Sequence, residues 1–168
     1  MLGDVEFNSA CYYKYLSIDR EGMIDNLTGR KLRDVPADDE ASAVSLAGDT
    51  VDALLRAAVL VTPSGKQNSF AAHQLPAAVL IEVRPTCSPV SYANAFAKPV
   101  TAGTTGLVQS SLDALQRHVE ALTKGFSLKT SHRWLLAPEH PGLKIDGVTR
   151  VETLDSLCEK LKGAVRHG

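Results

Sequence analysis

The sequence has little with which to cross-link itself, span a bilayer or grip nucleic acid over its whole surface. Its three cysteines, Cys11, Cys87 and Cys158, are isolated, odd in number and without a Cys-x-x-Cys pair. That excludes a disulfide scaffold and a cysteine-based zinc site, and it points to a reducing, cytoplasmic setting. No apolar run approaches the roughly 20 residues a spanning helix needs. The opening Met1–Phe7 lacks the basic and apolar regions of a signal peptide, so no membrane partner is expected. Net charge is only -1. Phosphate neutralisation supplies most nucleic-acid affinity, so any such contact must come from a local basic patch or from groups outside the chain. The five histidines (His73, His118, His132, His140, His167) are scattered, with no His-x-x-x-His spacing for a metal.

What is present suits one globular domain. The chain has 168 residues, 44% hydrophobic and 22% charged, enough apolar material to bury a core. Val5–Ile18 is rich in aromatic and apolar residues without Gly or Pro and reads as a strand. Residues 19–48 are polar, with Gly22, Gly29 and Pro36 among charged clusters, and read as a loop or insertion. Val51, Leu54, Leu55, Ala58 and Val59 predict a helix from about Asp49 to Val61, stopped by Pro63-Ser64-Gly65. Ala77–Val83 is a continuous apolar run, as a buried strand requires. Leucine and valine spacing predicts a helix over Leu107–Lys124, with Gly125 as its stop. A short strand follows at His132–Leu136. A last helix covers Leu154–Val165, with Thr153 as N-cap. The alternation predicts an α+β domain with helices packed on one sheet.

The informative stretch is Pro63–His73, PSGKQNSFAAH. Ser-Gly-Lys suggests a phosphate loop, but Leu60 stands where the first glycine of G-x-x-x-x-G-K-[ST] belongs. Gln67 replaces the magnesium-binding hydroxyl, and the loop leaves a helix instead of entering one. Catalysis by Ser64 or Ser69 with His73 lacks both a G-x-S-x-G elbow and an acid partner. The remaining chemistry is a polar turn offering backbone N–H groups, two amides and Lys66, the groups that position nucleic-acid backbones. The residues alone serve equally as an ordinary helix-ending loop in which Gln67, Asn68 and Ser69 cap or brace and Phe70 joins the core. Among Tyr12, Tyr13 and Tyr15, strand alternation sends at least one inward.

PSGKQNSFAAH resembles a signature of the CasC family, the RNA-binding backbone subunits of the type I-E CRISPR surveillance complex, Cascade. Four further segments resemble the family in the same order: Glu6–Tyr15 (EFNSACYYKY), Leu54–Val61 (LLRAAVLV), Ser91–Val100 (SYANAFAKPV) and the Thr153–Leu161 helix. The resemblance implies a partial RNA-recognition-motif (ferredoxin-like) palm, with helices packed on an antiparallel sheet. Residues 1–168 would form a single C-terminal palm portion, with the N-terminal half and thumb missing. It implies a CRISPR RNA-binding scaffold that oligomerises along the guide, reaches target DNA through it, and contacts other Cascade subunits. No enzymatic activity and no cofactor are expected. The residues expected to touch RNA are Ser64, Gly65, Lys66, Gln67 and Asn68, with Lys98 second. The alternative is a module that packs against other Cascade subunits without RNA contacts of its own.

Overall fold

The structure, a computed structural model, describes residues 10–61 and 74–167. Helix α1 (Arg20–Thr28) ends at Gly29, which adopts a left-handed φ of 66°. A 3-10 turn (Leu32–Asp34) leads to α2 (Ala37–Leu60). Strand β1 (Val79–Val83), a 3-10 turn (Ala93–Phe96), α3 (Leu107–Gly125), β2 (His132–Leu136), β3 (Thr149–Val151) and α4 (Leu154–His167) follow.

The region 19–48, expected as a loop, is mostly helical. Pro36 precedes α2, and Asp38, Asp39 and Glu40 fill its first turn, where acidic side chains complement the helix dipole. The helix therefore begins a full three turns before Asp49. Ala43, Ala47 and Val51 recur every four residues and are buried. Their small size carries a weak apolar signal but permits close packing. At Gly48 a Cβ would lie 3.2–3.3 Å from side-chain atoms of Arg166 and Lys162 on α4, so this glycine serves helix–helix approach.

The expected N-terminal strand is also corrected. Residues 10–18 carry no strand, and residues 5–9 lie outside the described residues. Strand propensity reflects packing against neighbours, not an intrinsic backbone preference. Here side chains anchor the segment to separate elements instead. The Tyr92 N–H donates to Tyr13 Oη at 3.1 Å, and Lys14 Nζ donates to the Ala58 carbonyl at 2.7 Å. Tyr13 is the half-buried member of the tyrosine trio, while Tyr12 and Tyr15 are exposed.

The sheet is mixed, not antiparallel. Its order is β1-β2-β3, with β1 and β2 antiparallel (Ile81 opposite Trp134) and β2 and β3 parallel (Leu135 opposite Arg150). Parallel pairing needs a crossover of about a dozen residues, which residues 137–148 supply. The Arg150 guanidinium ties that crossover to β3 by donating to the carbonyls of Ala137 and Leu143. Strand β2 lies where the sequence predicts it. Helix α3 starts as predicted and ends at Gly125, the expected stop, with a left-handed residue, Ser127 (φ 49°), just beyond it. Helix α4 opens on the expected cap, the Ser156 N–H donating to Thr153 Oγ1 at 3.1 Å.

Side-chain alternation gives the sheet two packed faces. Trp134, Leu136, Val79 and Val151 face α4 and α2, around the fully buried Leu157. Leu80 and Leu135 face the other way, against Leu112 and Val119 of α3. The result is an α+β domain, helices packed on a small three-stranded sheet, consistent with a partial ferredoxin-like fold. Among the described residues no helix is long and apolar enough to cross a membrane.

Candidate nucleic-acid interface

Glu82 on β1 sits opposite Arg133 on β2, and the two side chains are 10% and 4% exposed. Arg133 Nε lies 2.7 Å from Glu82 Oε1. The contact is ionic and off the N–H direction, since that N–H finds no aligned acceptor. Arg133 is held instead by bonds from its terminal nitrogens to the Asp146 carbonyl and Thr123 Oγ1, both at 3.0 Å. The second carboxylate oxygen takes Arg84 Nη2 at 2.6 Å. Tyr92 Oη donates to the same carboxylate at 2.9 Å. Burial, and then the negative charge of Glu82, push the Tyr92 phenol up to about 12.

This cluster fixes the start of the segment that carries Lys98. Tyr92 is buried, its ring edge-on to His118 of α3 at 6.3 Å. The Ala93 N–H donates to Ser91 Oγ at 3.3 Å, opening the 3-10 turn. Phe96 then packs against Tyr13 with ring centroids 5.6 Å apart. Lys98 follows, exposed, on one wall of an open groove of about 390 Å³. One face of α3 also lines it, through Ser110, Asp113, Ala114 and Arg117 at helical spacing.

Ser64, Gly65, Lys66, Gln67 and Asn68 lie outside the described residues, so of the expected RNA contacts only Lys98 has a described place. Arg117 was not singled out from sequence. Asp113 and Arg117 stand four apart and read as a surface helix pair. The structure does not pair them: Asp113 Oδ1 accepts the Gln109 amide at 2.8 Å. Lys98 and Arg117 make no ion pair with any described residue, whereas Arg56, Lys162 and Arg166 are engaged with acids of α2 or α4. With two cations and one carboxylate the groove carries net positive charge in a nearly neutral chain. Both sheet faces are covered by helices, so the groove, and not an open sheet surface for base stacking, is the chemically equipped feature. Among the described residues no group of three His, Cys, Asp or Glu side chains is placed to hold a metal.

The fold is similar to that of chains from CRISPR surveillance assemblies. One chain of a CRISPR RNA-guided surveillance complex matches with TM-score 0.58 and 26% identity, over 83% of this chain and 48% of that one. A second, from a CRISPR RNA-guided surveillance complex in a pre-nicking state, matches with TM-score 0.62 and 26% identity, over 84% of this chain and 34% of that one. The protein thus spans about half and about a third of the lengths of these relatives. It belongs to the family of CT1975-like proteins, which it matches over residues 1–160. No curated protein matches the sequence.

Proposed function

We propose that the protein is a CasC-like, RNA-binding scaffold of a type I-E Cascade. In this role it grips guide RNA by its backbone and performs no chemistry itself. The observation that carries the reading is the likeness, at 26% identity and over more than four-fifths of the chain, to chains of RNA-guided surveillance complexes. The family match over residues 1–160 supports it. Lys66 and Gln67 of the signature loop, together with Lys98, supply phosphate and ribose contacts without reading sequence, as a carrier of interchangeable guides requires. The test is retention of labelled guide RNA by the purified chain across a salt series, beside the Lys66→Ala/Gln67→Ala variant. Weaker retention and a shallower salt slope are expected for the variant. Equal affinity and slope would remove the loop from the interface, and no retention by the parent chain would remove the RNA-binding reading.

One observation favours a second reading. Leu46, Leu54 and Leu60 on the outer side of α2 are exposed, and Ala53 and Ala57 between them are exposed too. An apolar stripe of this kind suits a module that packs against neighbouring subunits. Size-exclusion profiles with and without guide RNA separate the two: assembly that ignores RNA supports the interaction module.

A further inference from the structure

We infer that the groove between Lys98 and Arg117 seats a phosphodiester group of single-stranded RNA, with Arg117 as a second cationic contact; this rests on the proposal that the chain holds guide RNA. Lys98 and Arg117 reach the groove from different elements, the segment after the 3-10 turn and the third turn of α3. Neither is neutralised by a described acid. A guanidinium and an ammonium lining one groove supply the charged donors that an oxyanion needs, and they outnumber its one carboxylate. The hydroxyls of Thr101 and Ser110 add donors on the same surface. Ser110 stands in the first turn of α3, so the positive end of the helix dipole adds to the local potential.

The wall bearing Lys98 is not a loose loop. It is tied to β1 through Tyr92 and Glu82, and to the N-terminal segment through Phe96 and Tyr13. That pre-places the backbone carrying Lys98 and lowers part of the ordering cost of binding. No base-reading group is needed, so the seat is indifferent to guide sequence. Among the described residues Asp113 is the one carboxylate lining the groove, and it opposes an anion there. Replacing it should strengthen binding, whereas replacing either cation should weaken it. Damage to the fold would not produce such opposite signs.

The experiment measures anisotropy of fluorescein-labelled 12-nucleotide RNAs of two unrelated sequences with the full chain and with Lys98→Ala, Arg117→Ala, the double variant and Asp113→Asn. Thermal melts confirm that the exposed Lys98 and Arg117 substitutions and the half-buried Asp113 substitution leave the fold intact. Each cation lost should weaken both RNAs alike and reduce the salt slope by about 0.7, and the double variant by about 1.4. Asp113→Asn should bind more tightly than the parent chain. If the parent chain binds RNA but Arg117→Ala keeps its affinity and slope, the groove is overturned while the proposed function stands. If the parent chain binds no RNA, both fall. A polyaspartate peptide that binds more tightly than RNA, with the same dependence on Lys98 and Arg117, would overturn the RNA assignment in favour of an acidic protein partner.

Discussion

Glu82→Gln keeps the shape of the side chain and removes its charge, which isolates what the buried cluster does. Among the described residues Glu82 is the only carboxylate that meets both Arg133 at 2.7 Å and Arg84 at 2.6 Å. Arg84 is 11% exposed and Arg133 4%, so neither guanidinium can turn to water for compensation. Removing one partner of a buried ion pair costs about 3–5 kcal/mol, because a charge is left without its counter-charge. Arg133 keeps its bonds to the Asp146 carbonyl and Thr123, which places the loss near the lower bound, about 3 kcal/mol. Domains of this size lose about 2–4 °C of Tm per kcal/mol, so the variant should melt about 6–12 °C lower. Trp134, the single tryptophan and 6% exposed, reports the transition by fluorescence in urea and on heating. A companion Glu82→Gln/Arg133→Met variant should recover part of the loss, since it removes both charges. A single variant within about 1 kcal/mol of the parent chain would refute the account, because an open, water-screened pair behaves that way.

Tyr92→Phe should cost about 1.5–3 kcal/mol near neutral pH, the usual worth of a hydrogen bond to a charged acceptor, read by urea unfolding. Its pH signature is more specific. With the folded phenol raised to about 12 against 10.0 ordinarily, the unfolded chain loses its proton first. That contribution to stability is therefore whole below about pH 10 and is lost as pH climbs toward about 12; the Phe variant should lack this part of the alkaline decline. Identical alkaline slopes in the two proteins would contradict the burial of Tyr92 against Glu82. Thiol titration of the native chain should show two fast groups, the exposed Cys11 and Cys87. Cys158 should react only on unfolding, because burial and the neighbouring Asp52 push its thiol up to about 11. Three equal rates would mean that α4 does not pack on α2 as described.

What was legible in the sequence was whatever buried large side chains at regular intervals. The leucines and valines of α3, the apolar run of β1 and the Leu154–Leu161 face of α4 all specify their elements through periodicity alone. The region 19–48 escaped because its inward positions are Ala43, Ala47 and Gly48, chosen for closeness and not for apolar bulk. Strand β3 escaped because three residues, Thr149–Val151, are too few to show a period, and its parallel pairing depends on a crossover no local pattern announces. Val5–Ile18 erred in the opposite direction. Its side chains suit a strand, but over residues 10–18 no neighbour pairs with it.

The site was legible through motif likeness more than through chemistry, and the structure explains why. In SYANAFAKPV, Ser91 accepts the Ala93 N–H at the start of the turn, Tyr92 anchors to Glu82, Phe96 packs on Tyr13, and Lys98 alone presents a free charge. Most of the motif is therefore scaffolding for one cation. Tyr13 belongs to EFNSACYYKY, 79 residues before its hydrogen-bond partner Tyr92. Two motifs that looked independent along the chain are thus halves of one contact, and a lesion in either displaces the same wall of the groove. Arg117 belongs to neither, because a cation on the polar face of a regular helix gives no local sign that it lines the same groove as Lys98. Its role is visible only where the two walls meet, and for that reason the salt slope of Arg117→Ala, more than any change in the motifs themselves, decides whether the groove holds RNA.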